Sequence, residues 1–410
     1  MPVYIIKEVP SVNLLESGPR MIARTSNGHL WCVFSAYIVE IDPVDTQIYL
    51  GHSTDGGETW SFEQVSDWHL APGVSAPTVA VDSEDSIHIA WVQSQPILGE
   101  EVTYRKRAIG GAWDVEEEVS DIAGNERGWN SIPAIAIDSA DNIHVVYCGY
   151  NLPDFHIGIV YRRKIHGGAW DARTYIDTRV LADASAQRDP AIAIDRNDTV
   201  HVLWRGNKWG LFPARYQLIY RNYGGGAWNA VELVTDEDFS CYDNNIAVDS
   251  IPSLHCVWRP GNTGHLYYMR RTVAGVWDSG AVVDNTGLYT WLCQVAVDTS
   301  DTIHVTYQHQ VNAAAPKDMS IKRRRLIGGV WQAIETLVDI IVGRDYWRTM
   351  SVCAWHPMIG GQHTCMPTSS RLQLFFPTEN PTDAYWFFTT EILPPASIPT
   401  VTTLPATGVV

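Results

Sequence analysis

The chain has 410 residues, 45% of them hydrophobic and 18% charged, and carries a formal net charge of -17 at pH 7. This composition is typical of a globular protein, and the negative charge argues against a nucleic-acid partner because phosphate binding needs a basic surface. No run of about 18 apolar residues is present, so we expect no membrane-spanning helix. The first residues, MPVYIIKEVP, lack the features of a secretory signal.

The first predicted element is a lone strand, VYIIKEV (3–9), and a repeated unit follows it. Two short apolar strands, such as AIAID and IHVVY, are joined by a turn of Asp, Ser and Asn residues. A third strand ends in a basic cluster such as VYRRK, a glycine turn such as GGAWD follows, and a fourth strand leads onward. Copies of the first two strands begin at residues 20, 77, 133, 190, 245 and 294, and a degenerate copy spans 351–367. Four strands per unit are typical of a β-propeller blade.

Seven copies predict a fold of the all-β class, a single seven-bladed β-propeller of four-stranded blades. The last copy shows only three strands, so we expect residues 3–9 to complete its blade and close the ring without an unpaired edge. The propeller domain would span residues 1–392. Residues 393–410, rich in Pro and Thr and free of charge, are expected to form an extended tail.

Each copy also carries a histidine on or near its second strand. One histidine per blade cannot converge on one ion, so we interpret these residues as buried structural histidines and predict no metal and no cofactor. Aspartates recur at the turn between the first two strands, where Asx turns account for their spacing. The repeated histidines are His29, His88, His144, His201, His255, His304 and His363, and the aspartates are Asp82, Asp138, Asp195, Asp249 and Asp298.

One glycine turn, STDGGETW (53–60), resembles the Asp-box of the sialidase (BNR repeat) family. In that family the turn joins the third and fourth strands on the face away from the active site, so the resemblance implies a fold. Sialidases also carry an arginine in an Arg-Ile-Pro stretch before the innermost strand of the first blade. Here Gly18 occupies the arginine position and Arg20 lies two residues on, so the substrate clamp of sialidases is not matched and we do not expect sialidase activity.

Tryptophans and polar residues concentrate in the connections between blades. Six of the 17 tryptophans belong to glycine turns, whereas others lie in loops that a propeller places on the opposite face. Rings stack on sugars, and interleaved Asp, Arg and Asn side chains can bind hydroxyl groups. The predicted ligand-binding residues are Trp68, His69, Arg127, Trp129, Arg188, Asp189, Trp209, Tyr242, Asp243, Tyr289, Trp291, Arg344, Asp345, Tyr346, Trp347 and Arg348.

These residues favour a non-catalytic propeller that binds a glycan or cell-surface polysaccharide. One alternative is a glycoside hydrolase or polysaccharide lyase that uses the same face, and another is a purely structural propeller. The absence of an export signal together with seven cysteines suggests a component of a phage particle, or a protein released by lysis. A protein partner, or self-association through the tail, is the further expectation.

Overall fold

The computed structural model describes residues 3–9, 21–36, 46–67, 73–95, 99–120, 126–127, 132–151, 156–177, 187–207, 215–261, 263–286, 289–298, 300–310, 319–338, 351–353, 373–379 and 384–390. These residues form strands and turns, and they include no helix that could cross a membrane. The predicted tail, 393–410, lies outside them, as does His363.

Six sheets follow one another along the chain, and each is an antiparallel blade whose strands run outward from the centre in sequence order. Strand β1 (Val3–Val9) precedes them. Blade 1 contains β2 (Ile22–Arg24), β3 (Leu30–Ala36), β4 (Gln47–Ser53) and β5 (Ser61–Gln64). Blade 2 contains β6 (Val74–Val81), β7 (Ile87–Gln95), β8 (Gly99–Arg107) and β9 (Glu117–Glu118). Blade 3 contains β10 (Glu126–Arg127), β11 (Ala134–Ile137), β12 (Ile143–Asn151), β13 (His156–Lys164) and β14 (Thr174–Tyr175).

The remaining blades repeat this order. Blade 4 contains β15 (Gln187–Ile194), β16 (Val200–Asn207), β17 (Tyr216–Gly224), β18 (Ala227–Trp228) and β19 (Glu232–Leu233). Blade 5 contains β20 (Cys241–Val248), β21 (Leu254–Pro260), β22 (Leu266–Arg271) and β23 (Ala281–Asp284). Blade 6 contains β24 (Tyr289–Val297), β25 (Ile303–Gln310), β26 (Met319–Ile327), β27 (Val330–Trp331) and β28 (Glu335–Val338).

The chain ends form a separate sheet. It contains β29 (Ser351–Cys353), β30 (Gln373–Glu379), β31 (Ala384–Thr390) and β1, in the order β1-β31-β30-β29. Strand β29 lies beside β2 and β24. The prediction of seven blades is corrected to six, because only six four-stranded blades have a described side-chain core. The degenerate last copy lacks the turn residues that organise the other blades, and no side chain of the terminal sheet is described.

The hydrophobic core lies between neighbouring blades. Each of the five interfaces, called 1/2 to 5/6 after the blades they join, has its own cluster of buried residues. Trp91, Trp204 and Trp258 on the second strands are almost fully buried, and so are the thiols of the five described free cysteines. Burial of β-branched and aromatic side chains on both faces of each sheet explains why every blade needs a neighbour.

The repeated aspartates and histidines form one buried network per blade. In blade 3, Asp138 accepts hydrogen bonds from the amides of residues 140 and 142, and its second oxygen lies 3.1 Å from His144 Nε2. His144 Nδ1 lies 2.7 Å from the Tyr161 hydroxyl. The Asx-turn prediction and the structural role of these histidines are thus confirmed for His88, His144, His201, His255 and His304.

His29 is not part of this pattern. Trp31 occupies the corresponding position in blade 1, and its indole nitrogen lies 3.3 Å from Thr25 Oγ1, which replaces the aspartate. His29 instead contacts His52, with 3.1 Å between ring nitrogens. His29 lies two residues before Trp31 and directly follows the turn residue Gly28, whose φ is 89°.

The Asp-box turn has the geometry expected of it. Asp55 accepts hydrogen bonds from the Thr59 amide at 2.9 Å and from the Ser53 hydroxyl at 2.8 Å. Trp60 donates its indole N–H to the Gly57 carbonyl at 3.0 Å. This turn joins the third and fourth strands of blade 1, so the motif fixes a turn and supplies no chemistry.

Three kinds of polar clamp join the blades on the side of these turns. In the first, a serine in one blade donates its amide and hydroxyl to an aspartate in the next: Ser26–Asp85, Ser83–Asp141, Ser139–Asp198 and Ser250–Asp301. In the second, an arginine donates to a carbonyl of the preceding blade: Arg105–Val65, Arg162–Val119, Arg221–Ile176 and Arg324–Val283. In the third, a glutamate accepts from a cation and an indole: Glu63 from Arg107 and Trp113, Glu117 from Lys164 and Trp170, and Glu232 from Arg271 and Trp277.

Interface 4/5 is held by the third clamp only, within the described residues. Arg196 and Pro252 replace the serine and aspartate of the first clamp, and Met269 replaces the arginine of the second. Interfaces 1/2 and 2/3 carry all three clamps. A further polar contact between blades 4 and 5, from Asn244 to the Asp189 carbonyl, lies on the opposite face of the propeller.

Candidate functional site

The face opposite the glycine turns is formed by the starts of the innermost strands and the ends of the second strands. In blades 4 and 5 the innermost strand begins with a β-bulge, at which the pairing register shifts. Asp189 and Asp243 occupy these bulges with φ angles of 53° and 51°. Backbone in this left-handed region is uncommon for a residue other than glycine, and here it turns each carboxylate toward the end of the neighbouring strand.

Each of these carboxylates pairs with an arginine at the end of the second strand of its own blade. Arg205 donates its Nε–H to Asp189 Oδ2, and Arg259 donates its Nε–H to Asp243 Oδ2 at 2.5 Å. The arginine side chains are only 14% and 13% exposed, whereas Asp189 and Asp243 are 31% and 22% exposed. The two half-buried carboxylates are therefore more exposed than the guanidinium groups with which they pair.

Aromatic rings separate the two guanidinium groups. The Arg205 guanidinium carbon lies 4.9 Å from the centroids of both Tyr216 and Tyr242. The Arg259 guanidinium carbon lies 4.9 Å from Tyr242 and 4.3 Å from Trp291. Tyr242 of blade 5 is thus held between cations of blades 4 and 5, and Trp291 extends the stack into blade 6. Cation–π contacts of this kind fix both the rings and the guanidinium planes.

Hydrogen bonds between blades support the stack. Asn244 donates to the Asp189 carbonyl at 3.0 Å, which joins blade 5 to blade 4. The Leu292 amide donates to Asp243 Oδ2 at 3.1 Å, and Cys293 Sγ lies 2.7 Å from the Asp243 carbonyl oxygen, which joins blade 6 to blade 5. We call Asp189, Arg205, Tyr242, Asp243, Arg259 and Trp291 the rim wall.

The electrostatic environment of Asp189 differs from that of an ordinary surface carboxylate. Burial raises its pKa, the nearby Asp243 charge acts in the same direction, and Arg205 opposes both.

Several buried polar atoms on the same face of blades 4 to 6 have no hydrogen-bond partner among the described residues. Buried polar groups in folded proteins are nearly always paired, so such a concentration marks a place where a ligand or water completes the bonding. These atoms are Asn207 Oδ1, Asn244 Oδ1, His265 Nδ1, both amide atoms of Gln308 and both ring nitrogens of His309.

The structure brings four of the predicted ligand-binding residues together in the rim wall, namely Asp189, Tyr242, Asp243 and Trp291. Two more lie next to it: Arg188 pairs with Arg205 across adjacent strands, and the 44% exposed Tyr289 packs 5.9 Å from Trp291. Arg127 lies on β10, with its side chain outside the description. The others lie outside the described residues: Trp68, His69, Trp129, Trp209, Arg344, Asp345, Tyr346, Trp347 and Arg348.

The sequence analysis missed Arg205 and Arg259. Both follow the buried second-strand tryptophan, in LWR and VWR, where the equivalent positions of blades 2, 3 and 6 carry Val92, Cys148 and Gln308. A charged residue at a position that is otherwise uncharged was the available signal. No cluster of three or more His, Cys, Asp or Glu side chains suited to a metal ion occurs in the described part of the chain.

Comparison with known proteins identifies the fold. No protein-family model matches the chain, and no curated protein matches it. Solved structures do match. One is an ulvan lyase of a new polysaccharide lyase family, bound to -[GlcA(1-4)Rha3S]-, with 10% identity, 94% of each chain covered and a TM-score of 0.63. Another is an α-L-arabinanase of Penicillium chrysogenum bound to arabinobiose, with 13% identity, 79% of this chain and 97% of that chain covered, and a TM-score of 0.55. A third is a Dyadobacter fermentans protein of unknown function, with 12% identity, 95% and 100% covered, and a TM-score of 0.55.

At these identities the likeness shows a β-propeller fold, and it does not show the sialidase family that the Asp-box suggested. Several of the matching structures with a named activity are glycan-cleaving enzymes, both hydrolases and lyases. They favour the enzymatic alternative, and the prediction of a non-catalytic binding propeller is corrected accordingly.

Proposed function

We propose that the protein is a polysaccharide-cleaving enzyme whose active site is the rim wall of blades 4 to 6, and that it acts as a lyase. The observation that carries this proposal is the position of Tyr242 between Arg205 and Arg259. The wall supplies a phenol, two fixed guanidinium groups and two carboxylates within one continuous surface.

Lyase chemistry on a uronate polymer needs these parts. A base removes the proton on the carbon next to the sugar carboxylate, a double bond forms between that carbon and its neighbour, and the glycosidic carbon–oxygen bond on the neighbour breaks. The proton passes to the base, and the leaving oxygen takes a proton from an acid or from water. Guanidinium groups near the sugar carboxylate would stabilise the charge that develops there, and Tyr242 is the candidate for proton transfer.

The arginines also suit the charge of such a substrate. The protein carries a formal charge of -17, so an anionic polymer needs a local positive site to bind. Arg188, Arg205 and Arg259 face two carboxylates on this rim, which gives the site one excess positive charge from the described side chains. Trp291 and the exposed Tyr289 offer rings on which sugar faces can stack.

Glycoside hydrolysis is the second candidate, because Asp189 and Asp243 form a pair of neighbouring carboxylates with different surroundings. Hydrolases use one protonated and one ionised carboxyl group, and the raised pKa of Asp189 fits the protonated role. The ion pair between Asp189 and Arg205 argues against this role, since a guanidinium partner stabilises the ionised form.

The test is incubation of the purified protein with a panel of neutral, uronate-containing and sulfated polysaccharides. Two signals are recorded: new reducing ends, and the ultraviolet absorbance of an unsaturated product. A lyase gives both signals, and a hydrolase gives reducing ends alone. Binding without either signal across the panel would overturn the enzymatic proposal.

Matched variants place the reaction on the rim wall. Tyr242→Phe keeps the ring between the guanidinium groups and removes the hydroxyl, so we expect a loss of at least about a hundredfold in turnover if Tyr242 transfers the proton. Tyr267→Phe is the control, because Tyr267 lies in the same blade, and its described ring contacts are with Phe239, Trp258 and His265 rather than with the rim wall. Equal losses in the two variants would contradict the assignment.

A further inference from the structure

Blade 6 carries a polar cluster in the layer between blades 5 and 6, at positions where blades 3 and 4 carry aromatic, aliphatic and glycine residues. Tyr307, His309 and Lys322 lie on one face of the blade 6 sheet, since Tyr307 pairs directly with Lys322 and His309 is two residues further along the same strand. The corresponding positions are Trp204, Gly206 and Ile219 in blade 4, and Tyr147, Gly149 and Val160 in blade 3.

The Lys322 ammonium group has no hydrogen-bond acceptor among the described residues, although its side chain is partly buried. Burial lowers the pKa of Lys322, and the negative charge of Asp284 of blade 5 acts in the opposite direction. Asp284 already accepts hydrogen bonds from the Tyr307 hydroxyl at 2.7 Å and from Thr286. Lys322 and Asp284 are not within ion-pair distance of each other.

His309 has the same deficit. The His309 residue is 7% exposed, yet neither ring nitrogen has a hydrogen-bond partner within the part of the chain that the structure describes. Burial and the positive charge of Lys322 lower its pKa, whereas Asp284 raises it. Thr290 pairs with His309 and donates its hydroxyl to the His265 carbonyl of blade 5 at 3.0 Å. His265 therefore lies on the blade 5 side of the cluster, and its Nδ1 also has no partner among the described residues.

Leaving both ring nitrogens of the buried His309 without a partner costs free energy, and an anion bound there would also pair with the neighbouring ammonium of the half-buried Lys322. We infer that Lys322 and His309 form a subsite for the acidic group of a sugar, a carboxylate or a sulfate ester, next to the rim wall. Trp291 belongs to the same blade, on the strand that pairs with the His309 strand, so one polymer chain can contact both places. The inference rests on the proposed function for its polymer, but the anion site itself can be tested without turnover.

The experiment follows the histidine ring signals of the protein by NMR with isotope-labelled histidine. Titrations over pH are run in sodium chloride, sodium sulfate and sodium glucuronate at equal ionic strength. The His309 signal is identified by its absence from His309→Asn. A bound anion favours the imidazolium form, so we expect sulfate or glucuronate to raise the titration midpoint of His309 by about one pH unit relative to chloride. The exposed His166, on the opposite face, is the internal control and should not respond.

Lys322→Met should abolish the response, and Lys322→Arg should retain it. A response to sulfate alone assigns the subsite to sulfate esters, and a response to glucuronate alone assigns it to carboxylates. No response to either salt, or an unchanged response in Lys322→Met, would overturn the subsite. If the response is present but no polysaccharide is cleaved, the subsite stands and the proposed function fails. If a polysaccharide is cleaved but the His309 signal responds to neither salt, the proposed function stands and the subsite fails.

Discussion

The buried Asp–His–Tyr networks should stabilise the fold in a pH-dependent way, and Asp138 of blade 3 allows the size of the effect to be predicted. The residue is 8% exposed, and its pKa is lowered from 3.8 to about 2, because hydrogen bonds from His144 and Asn142 outweigh the effect of burial. A carboxyl group with a lowered pKa stabilises the folded state when it is ionised. The contribution is therefore present above about pH 4 and is lost as the pH falls toward about 2.

The magnitude follows from the shift. A difference of about 1.8 units between the folded and unfolded pKa values of Asp138 corresponds to about 2.4 kcal/mol in the free energy of unfolding at pH 7. The same two pKa values give about 1.3 kcal/mol at pH 3. Asp138→Asn keeps the shape of the side chain and removes its charge. We expect the free energy of unfolding to fall by about 2 kcal/mol at pH 7 and by about half as much at pH 3.

The assay is guanidinium chloride unfolding followed by tryptophan fluorescence at both pH values. Glu84→Gln is the control, because Glu84 lies in the equivalent turn of blade 2 with an exposed side chain, and such a change is worth less than about 0.5 kcal/mol. A variant within about 0.5 kcal/mol of the parent at pH 7, or a loss of equal size at both pH values, would refute the linkage argument.

Three further predictions concern the site and its support. Gly261→Ala should reduce turnover about tenfold or more, because a Cβ there would lie 2.6 Å from Tyr242 Cε2 and would push the ring from between its two arginines. Steady-state kinetics would measure this loss, with Gly224→Ala as the control. Unchanged turnover in Gly261→Ala would contradict the prediction. Because burial raises the pKa of Asp189, the pH–rate profile should show an inflection above the ordinary aspartate pKa of about 3.9, and Asp189→Asn should remove it. An inflection that persists in the variant would belong to another group. Glu232→Ala should lower the melting temperature more than Glu117→Ala does. Interface 4/5 depends on the Glu232 clamp, whereas interface 2/3 keeps two other clamps after Glu117 is removed. Equal shifts in the melting temperature would show that the clamps contribute little.

The repeated pattern in the sequence determined the class of fold. Alternating short strands, the Asp turn and the Gly-Trp turn are local signals, since each is decided by residues close together in the chain. They located the strands of six blades, the networks around Asp138 and its equivalents, and the Asp-box turn at residues 53–60. They failed where a repeat departs from its own pattern, as at His29, whose place in the network belongs to Trp31, and in the degenerate last copy that led to a count of seven blades.

The site was only partly accessible from the sequence. The composition of the loops pointed to Asp189, Tyr242, Asp243 and Trp291, but it did not distinguish them from the other candidates. Their association depends on blades packing side by side, which places residues about fifty positions apart in contact. Arg205 contacts Tyr242 only in that arrangement, because the strands that carry these residues meet in the folded ring. The same holds for the Lys322 ammonium, which has no acceptor among the described residues.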